Sequence, residues 1–299
     1  MHRAFGFSVV LFFLTACTST PHRNAAPVEL TAVQEWADAC KPWDKWDKPG
    51  PPFRIHGNSY YVGTCGIAAI LIAGSDGHVM IDVGTESAAD LVAANIATLG
   101  FDVADIEILL LSHEHFDHAA GIATLQDRTG ASFLASGAAA PVLSSGEAPT
   151  RDPQFGALDA FPEARVDGIL EDGALIELGD IAIRIIETPG HTPGALSYQW
   201  NSCDPDGCET IVYANSLSPV SADDYRFSDH LEYIAAYRAG LTRLAQLDCS
   251  LLMTPHPSAS FLHARIAAGD LTAAPTCDAY AASISKRLDA RLAKEQDAR

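Results

Sequence analysis

His113-Glu114-His115-Phe116-Asp117-His118 stands directly after the apolar run Ile106 to Leu111, and the reading of this stretch decides the rest. Three imidazoles and the Asp117 carboxylate in one loop are a composition that suits a metal. Neutral imidazole and carboxylate are ligands for first-row metals, and hydrolytic Zn²⁺ takes N and O donors with one position left for water. The apolar run predicts a strand. It delivers Ser112 onward into a loop at its C-terminal end, where α/β sheets usually carry their chemistry. His113 and His115 are two apart and project to the same side of locally extended backbone. Asp117 and His118 follow after a turn and aim at a second point, so one loop can serve two metal ions. The bland alternative is a solvated loop with a chance histidine cluster, and the further ligands found along the chain weigh against it.

Two more histidines sit in rigid turns after apolar strands. Ile181 to Ile186 predicts a buried strand, closed by Gly190-His191-Thr192-Pro193-Gly194. Leu251-Leu252-Met253 leads in the same way into Thr254-Pro255-His256-Pro257. Either histidine alone reads as a structural or surface residue. Taken with the first loop, the set divides into two triads: His113, His115, His191 and Asp117, His118, His256. His2 lies in a removable segment, and His22, His56, His78, His230 and His263 have no partner at ligand spacing.

The pattern His-x-His-x-Asp-His, then Gly-His-Thr-Pro-Gly, then a late histidine in Thr-Pro-His-Pro resembles the metallo-β-lactamase superfamily, and within it the lactamases of subclass B3. The similarity runs from about Tyr60 to about Tyr280. It implies an α/β fold, a four-layer αββα sandwich, with two Zn²⁺ per chain. One zinc would be held by His113, His115 and His191, the other by Asp117, His118 and His256. Superfamily members of the glyoxalase and lactonase kind carry a bridging aspartate after the second turn, and subclasses B1 and B2 carry a cysteine. Here Tyr213-Ala214-Asn215-Ser216-Leu217-Ser218 has neither. Asn215 departs from the subclass, which more often has aspartate there, and its amide is a poor ligand.

The resemblance implies hydrolysis of the β-lactam amide of penicillins, cephalosporins and carbapenems by a metal-bound hydroxide, and so antibiotic resistance. Zinc lowers the pKa of bound water from about 15.7 to roughly 7. Asp117 would orient that nucleophile, with no acyl-enzyme. Ser216 and Ser218 match positions that hold a metal-bound water or the substrate carboxylate in the subclass, and each could equally be a loop serine bonding its own backbone. Arg151, Gln154 and Phe155, in the long loop between Gly137 and Pro162, are candidates for the cleft wall, with solvated loop residues as the default. Ser283-Ile284-Ser285-Lys286 fits the Ser-x-x-Lys pattern of serine lactamases but lacks its companion motifs. It lies in a stretch of helical period (Ala281, Ile284, Leu288, Leu292) and reads as surface helix. Two other readings stand beside the first: a dizinc lactonase or thioesterase of the same superfamily, and a non-catalytic zinc-binding lipoprotein.

Arg3 precedes the apolar run Ala4 to Leu14, too short for a bilayer span and suited to a signal h-region. Leu14-Thr15-Ala16-Cys17 resembles a lipobox, so residues 1–16 are expected to be a lipoprotein signal and Cys17 to be lipidated. Thr18 favours the outer membrane, facing the periplasm; the alternative is simple periplasmic secretion. Residues 17–34 read as a tether and 35–299 as one domain. Beyond Cys17, the cysteines Cys40, Cys65, Cys203, Cys208, Cys249 and Cys277 allow fifteen pairings. The resemblance narrows these to Cys249–Cys277, with Cys40–Cys65 and Cys203–Cys208 matching bridges of some members. Metal binding by Cys203 and Cys208 is the alternative, although Asp204-Pro205-Asp206-Gly207 between them suits a hairpin tip.

A formal charge of -19 argues against nucleic acid and anionic lipid as partners. Acidity says nothing of the substrate; the expected partners are a small-molecule β-lactam and a membrane only through Cys17, with a monomer as the expected state. An apolar fraction of 48% is ample for a core. Trp36 to Pro52 reads as an irregular arm whose tryptophans, Trp36, Trp43 and Trp46, pack on the body; the lesser reading makes the arm a substrate wall. Strands are expected at Ile67 to Ala73 and His78 to Val83 around the turn Gly74-Ser75-Asp76-Gly77, then within Ile169 to Ile186, at Leu196 to Trp200 and at Ile211 to Ala214. Helices are expected over Ser87 to Leu99, from near Ala119, within Gly137 to Pro162, and through Leu231, Ile234, Leu241 and Leu244.

Overall fold

The strand expected from Ile181 is present in the computed structural model of the protein, which describes residues 30–273 and 275–297. In β9 (Ile181–Glu187), Ile181, Ile183 and Ile185 are buried between two sheets, and Ala182 and Arg184 face out, as a period of two requires. The same alternation puts Leu196, Tyr198 and Trp200 of β10 (Leu196–Asp204) on that inner face.

The first sheet has seven strands in sequence order: β1 (Phe53–His56), β2 (Ser59–Tyr61), β3 (Ile70–Gly74), β4 (Gly77–Ile81), β5 (Ile106–Leu110), β6 (Ser132–Ser136) and β7 (Gly168–Leu170). β1 to β4 are antiparallel, and β4 to β7 run parallel. The second sheet contains β8 (Leu175–Leu178), β9, β10, β11 (Gly207–Tyr213) and β12 (Leu251–Met253), in the order β12-β11-β10-β9-β8. Only its β11–β12 pair is parallel.

Helices cover the outer faces. Leu71 and Met80 of the first sheet pack with α2 (Ala88–Thr98), α4 (Ile122–Thr129) and α5 (Ala140–Ser145) through Val92, Ile122 and Leu143. Val212 and Leu252 of the second pack with α6 (Leu231–Ala245) and α8 (Cys277–Asp297) through Leu244, Ile284 and Leu288. The layers are therefore αββα, as expected, with each sheet buried on both faces. That double burial is why β3 and β12 read as continuous apolar runs.

The N-terminal arm differs from expectation. α1 (Leu30–Ala39) begins inside the stretch expected as tether and carries Trp36, fully buried with its ring 5.8 Å from Phe53 and 5.4 Å from Tyr61. Packing of that one indole on β1 and β2 turns the segment into a helix. The strand expected from Ile67 starts at Ile70, because Ile67 instead accepts from the Thr64 amide in a tight loop. All three disulfides form as the resemblance implied: Cys40–Cys65, Cys203–Cys208 and Cys249–Cys277. The signal, Cys17 and most of the tether lie outside the described residues. Among the described residues no helix is long and apolar enough to cross a membrane.

Candidate metal centre

Three loops reach the same rim of the sandwich, after β5 in the first sheet and after β9 and β12 in the second. The first loop runs into α3 (Phe116–Ala119), which places Asp117 and His118 a turn beyond His113 and His115. Glycines let the second loop come close. A Cβ on Gly190 would lie 2.4 Å from the Tyr237 ring, and one on Gly194 would lie 2.5 Å from the Ala139 amide.

The loops converge their imidazoles. Ligand atoms of His113, His115 and His191 all lie within 4.8 Å of one another, as do those of His113, Asp117 and His118. Asp117 Oδ2 is 3.1 Å from His118 Nε2 and 3.5 Å from His256 Nε2. Donors around a tetrahedral zinc at about 2.0–2.1 Å stand roughly 3.3 Å apart, close to the two distances from Asp117.

Several of the imidazoles are held through a ring nitrogen, as metal-bound histidines commonly are. His113 Nδ1 is 3.0 Å from Ser112 Oγ, leaving a buried Nε2 with no partner among the described residues. His115 Nε2 lies 3.2 Å from Asp152 Oδ2, and His191 Nδ1 donates to the Ser218 carbonyl at 2.9 Å. His118 Nδ1 faces Asp82 Oδ2 at 3.4 Å, and His256 bonds the Gly66 backbone. A buried nitrogen without a partner costs about 1–3 kcal/mol. A cation at the point these nitrogens share removes that cost, so the donor set fits a metal.

Burial and charge agree with this. Burial, and then the neighbouring imidazoles, hold His113 well below its usual range. Burial brings His191 down to about 3 and His256 to about 4, so these imidazoles are neutral at pH 7. Burial would lift the Asp117 carboxyl, but His118, His256 and His115 together hold it well below the carboxylate range. His118 goes the other way. Burial opposes its charge, yet Asp117 and Asp82 on either side raise it to about 10. Two carboxylates draw a proton onto the imidazole between them; a divalent cation bound there supplies the charge instead and leaves the ring free to ligate.

Three acidic residues that frame the site had no assigned role in the sequence. Asp82, fully buried at φ 60°, accepts from the Ser112 amide at 2.6 Å, Ser112 Oγ at 2.7 Å and Tyr213 OH at 2.9 Å. Asp152 orients His115 and accepts from the Gln154 amide at 2.7 Å. Glu114 points away from the imidazoles, accepting from Thr192 Oγ1 at 2.6 Å and the Gly194 amide at 2.8 Å, and so fastens the first loop to the second. Its position inside the hexapeptide and Asp82's at a strand end before Gly84 are the signals that could have flagged them.

Of the other candidates, Gln154 lies at the site, with Nε2 3.3 Å from His191 Nε2. Ser218 touches His191 mainly through its carbonyl, and Ser216 is buried beside it in sequence. Asn215 is turned to the framework, donating to the Thr188 carbonyl at 2.9 Å and to Thr188 Oγ1 at 2.7 Å. Arg151 donates to the Ala138 carbonyl, and Phe155 is exposed. The arm divides. Trp36 is core, while Trp46 lies 5.6 Å from Phe116 and 6.1 Å from His256, and Trp43 6.4 Å from His256. The lesser reading, a wall beside the site, therefore holds for Trp43 and Trp46. His78 and His263 pack on Phe101 and Trp36, and His230 stacks on Tyr225, as ordinary packing residues.

The family model of the metallo-beta-lactamase superfamily matches residues 62–204. Among solved structures, MIM-2 metallo-beta-lactamase is 55% identical at a TM-score of 0.85, covering 88% of this chain and 98% of its own. MEM-A1, a subclass B3 metallo-beta-lactamase from a soil metagenome library, is 37% identical at a TM-score of 0.80, covering 85% and 100%. A hydroxyacylglutathione hydrolase of Acidiphilium cryptum (strain JF-5) is 34% identical over 44% of this chain and 46% of its own. The chain spans less than half the length of the curated relatives it matches first.

Proposed function

The chain belongs to the metallo-β-lactamase superfamily, subclass B3, and from that premise we propose that it hydrolyses the amide of penicillins, cephalosporins and carbapenems at a two-zinc centre. His113, His115 and His191 would hold one ion, and Asp117, His118 and His256 the other. The observation that carries the reading is the approach of His118 Nε2 and His256 Nε2 to one oxygen of Asp117, beside the buried, unpartnered Nε2 of His113.

When bound, zinc acidifies a water to a pKa near 7 and polarises the carbonyl it meets. The chain supplies the rest. Asp117 is a charged acceptor at neutral pH, fixed by two imidazoles, and it can orient the attacking water and take a hydrogen bond from it. Asp152, Asp82 and the Ser218 carbonyl fix the ring tautomers, so the ligand nitrogens are presented without rearrangement. Gln154, against His191, is placed to donate its amide to a substrate oxygen, and Trp46 and Phe116 form an apolar wall for a substrate side chain. Ser216 and Ser218 are assigned to the substrate carboxylate on the resemblance alone. Export by the 1–16 signal and lipidation at Cys17 belong to the same reading and would place the enzyme in the periplasm, where β-lactams act and where its hydrolysis would confer resistance.

Hydrolysis of a thioester, suggested by the hydroxyacylglutathione hydrolases, is less favoured. Asn215 offers no carboxylate that could bridge two metal ions, and its amide is committed to Thr188. The test is turnover of a carbapenem and a cephalosporin by the purified protein, with EDTA and then with zinc restored. Chelator-sensitive hydrolysis rescued by zinc is expected; zinc-loaded protein inert to every β-lactam would sink the reading.

A further inference from the structure

Among the described residues, three non-glycine residues adopt a positive φ: Asp82 at the metal centre, Trp43 at 54° and Phe261 at 56°. Left-handed backbone in a bulky residue costs about 1–3 kcal/mol and gathers where ligands are held. Trp43 and Phe261 are also exposed, 71% and 61%. They line the same cleft, with a volume of about 450 Å³, within the range of small-molecule sites.

Ser258 holds both aromatics. Its Oγ accepts from the Trp43 amide at 2.7 Å, and its carbonyl accepts from the Phe261 amide at 3.2 Å. α8 lines the cleft with the buried Tyr280 and Ile284 and the exposed Ala279. None of the six candidate metal ligands lines the cleft, which adjoins the metal centre through Trp43 and through the turn after His256.

Its charge is the distinguishing feature. The chain has 38 acidic residues against 19 basic, yet no carboxylate lines this cleft, whereas the larger groove beside α1 is lined by Glu35, Asp38, Asp204, Glu209 and Asp270. Arg287 stands at the cleft, exposed, and no ion pair to it is formed among the described residues. An apolar slot between two aromatic rings with one unpaired guanidinium complements an apolar body carrying one negative charge.

We propose that the cleft between Trp43 and Phe261 is a second binding site, taking an apolar carboxylate whose body lies between the two rings and whose charge pairs with Arg287. The site is independent of the metal chemistry.

Isothermal titration of the zinc-loaded full chain with 4-phenylbutyrate, and with its neutral amide 4-phenylbutanamide, tests this. Because a carboxylate can also reach the metal centre, the decisive variants lie away from it. The acid should bind about tenfold more tightly than the amide, the contribution of a charge-assisted hydrogen bond. Arg287→Glu should remove that preference, Arg287→Lys should keep most of it, and Ala279→Trp, which adds an indole to the cleft lining, should abolish binding of both probes. Thermal midpoints of the variants check folding, and the lysine variant keeps the test open should the glutamate variant fail to fold. Equal affinity for acid and amide, a titration unchanged by Arg287→Glu or Ala279→Trp, or no saturable heat would each overturn the proposal.

Discussion

Asp82 ties three elements to one carboxylate: the end of β4, the Ser112 turn before the ligand loop, and Tyr213 at the end of β11. Asn also tolerates positive φ, so Asp82→Asn tests the charge without disturbing the backbone. Removing one partner from a buried charged network costs about 3 kcal/mol, and loss of an orienting contact lowers metal affinity about 10–100-fold. Zinc competition with a chromophoric chelator should show that loss, and the urea midpoint should fall with it. The metal-free chain should also have a characteristic pH dependence. His191 and His256 are depressed to about 3 and 4, below the unfolded value of about 6.5. Their contribution is complete above pH 6.5 and lost as pH falls toward 4 and 3, where the unfolded chain binds protons the folded one refuses. His118 is raised to about 10, so its contribution is complete below pH 6.5 and lost as pH rises through 10. Urea midpoints of the metal-free protein should therefore peak near pH 6.5; a midpoint rising steadily to pH 9 would contradict the His118 environment. The candidate ligands were legible because four of them are packed into one hexapeptide with a strand before it. Asp82 and Asp152 were not, since each is a single acidic residue among many and is defined only by what folds against it.

At the scale of elements, three disulfides close loops of very different length. The separations are 25 residues for Cys40–Cys65, 5 for Cys203–Cys208 and 28 for Cys249–Cys277. Chain entropy gives about 3.5 kcal/mol for each long loop and about 2 for the short one. Serine replacement of each pair should rank in that order in urea unfolding. Cys249–Cys277 joins the approach to β12 to the start of α8, so its loss should also weaken the His256 loop and lower zinc affinity, while loss of the exposed Cys203–Cys208 tip should leave zinc affinity unchanged. The aromatic arm makes a separate prediction. Trp46 faces Phe116 and His256 at the rim without ligating, so Trp46→Ala should raise KM for β-lactams with bulky apolar side chains several-fold and change kcat little. A fall in kcat alone would mean that the indole acts on the chemistry. Long strands and helices with clear period, such as β9, α6 and α8, could be read from sequence. β1, β2 and α1 could not: the strands are three or four residues long, and the helix is specified by where Trp36 is buried.

For the whole molecule, the decisive fact is that the candidate ligands belong to two sheets. His113, His115, Asp117 and His118 leave the first sheet after β5, and His191 and His256 leave the second after β9 and β12. A metal joined to these residues would clamp the sandwich at one end, opposite in effect to the self-repulsion of a chain with formal charge -19. The three apolar clusters are extensive without it, so the metal-free chain should still fold and unfold in one transition. Free zinc a thousandfold above its Kd adds about 4 kcal/mol by linkage, which for a domain of this size is roughly 10 °C in Tm. Scanning calorimetry with and without zinc should show that shift, and salt should raise the metal-free Tm by screening the net charge while shifting the loaded form less. If His256→Ala abolished part of the zinc shift and His191→Ala another part, each sheet would be shown to contribute to the clamp. A zinc shift that survived both substitutions would place the stabilising ion somewhere other than between the sheets.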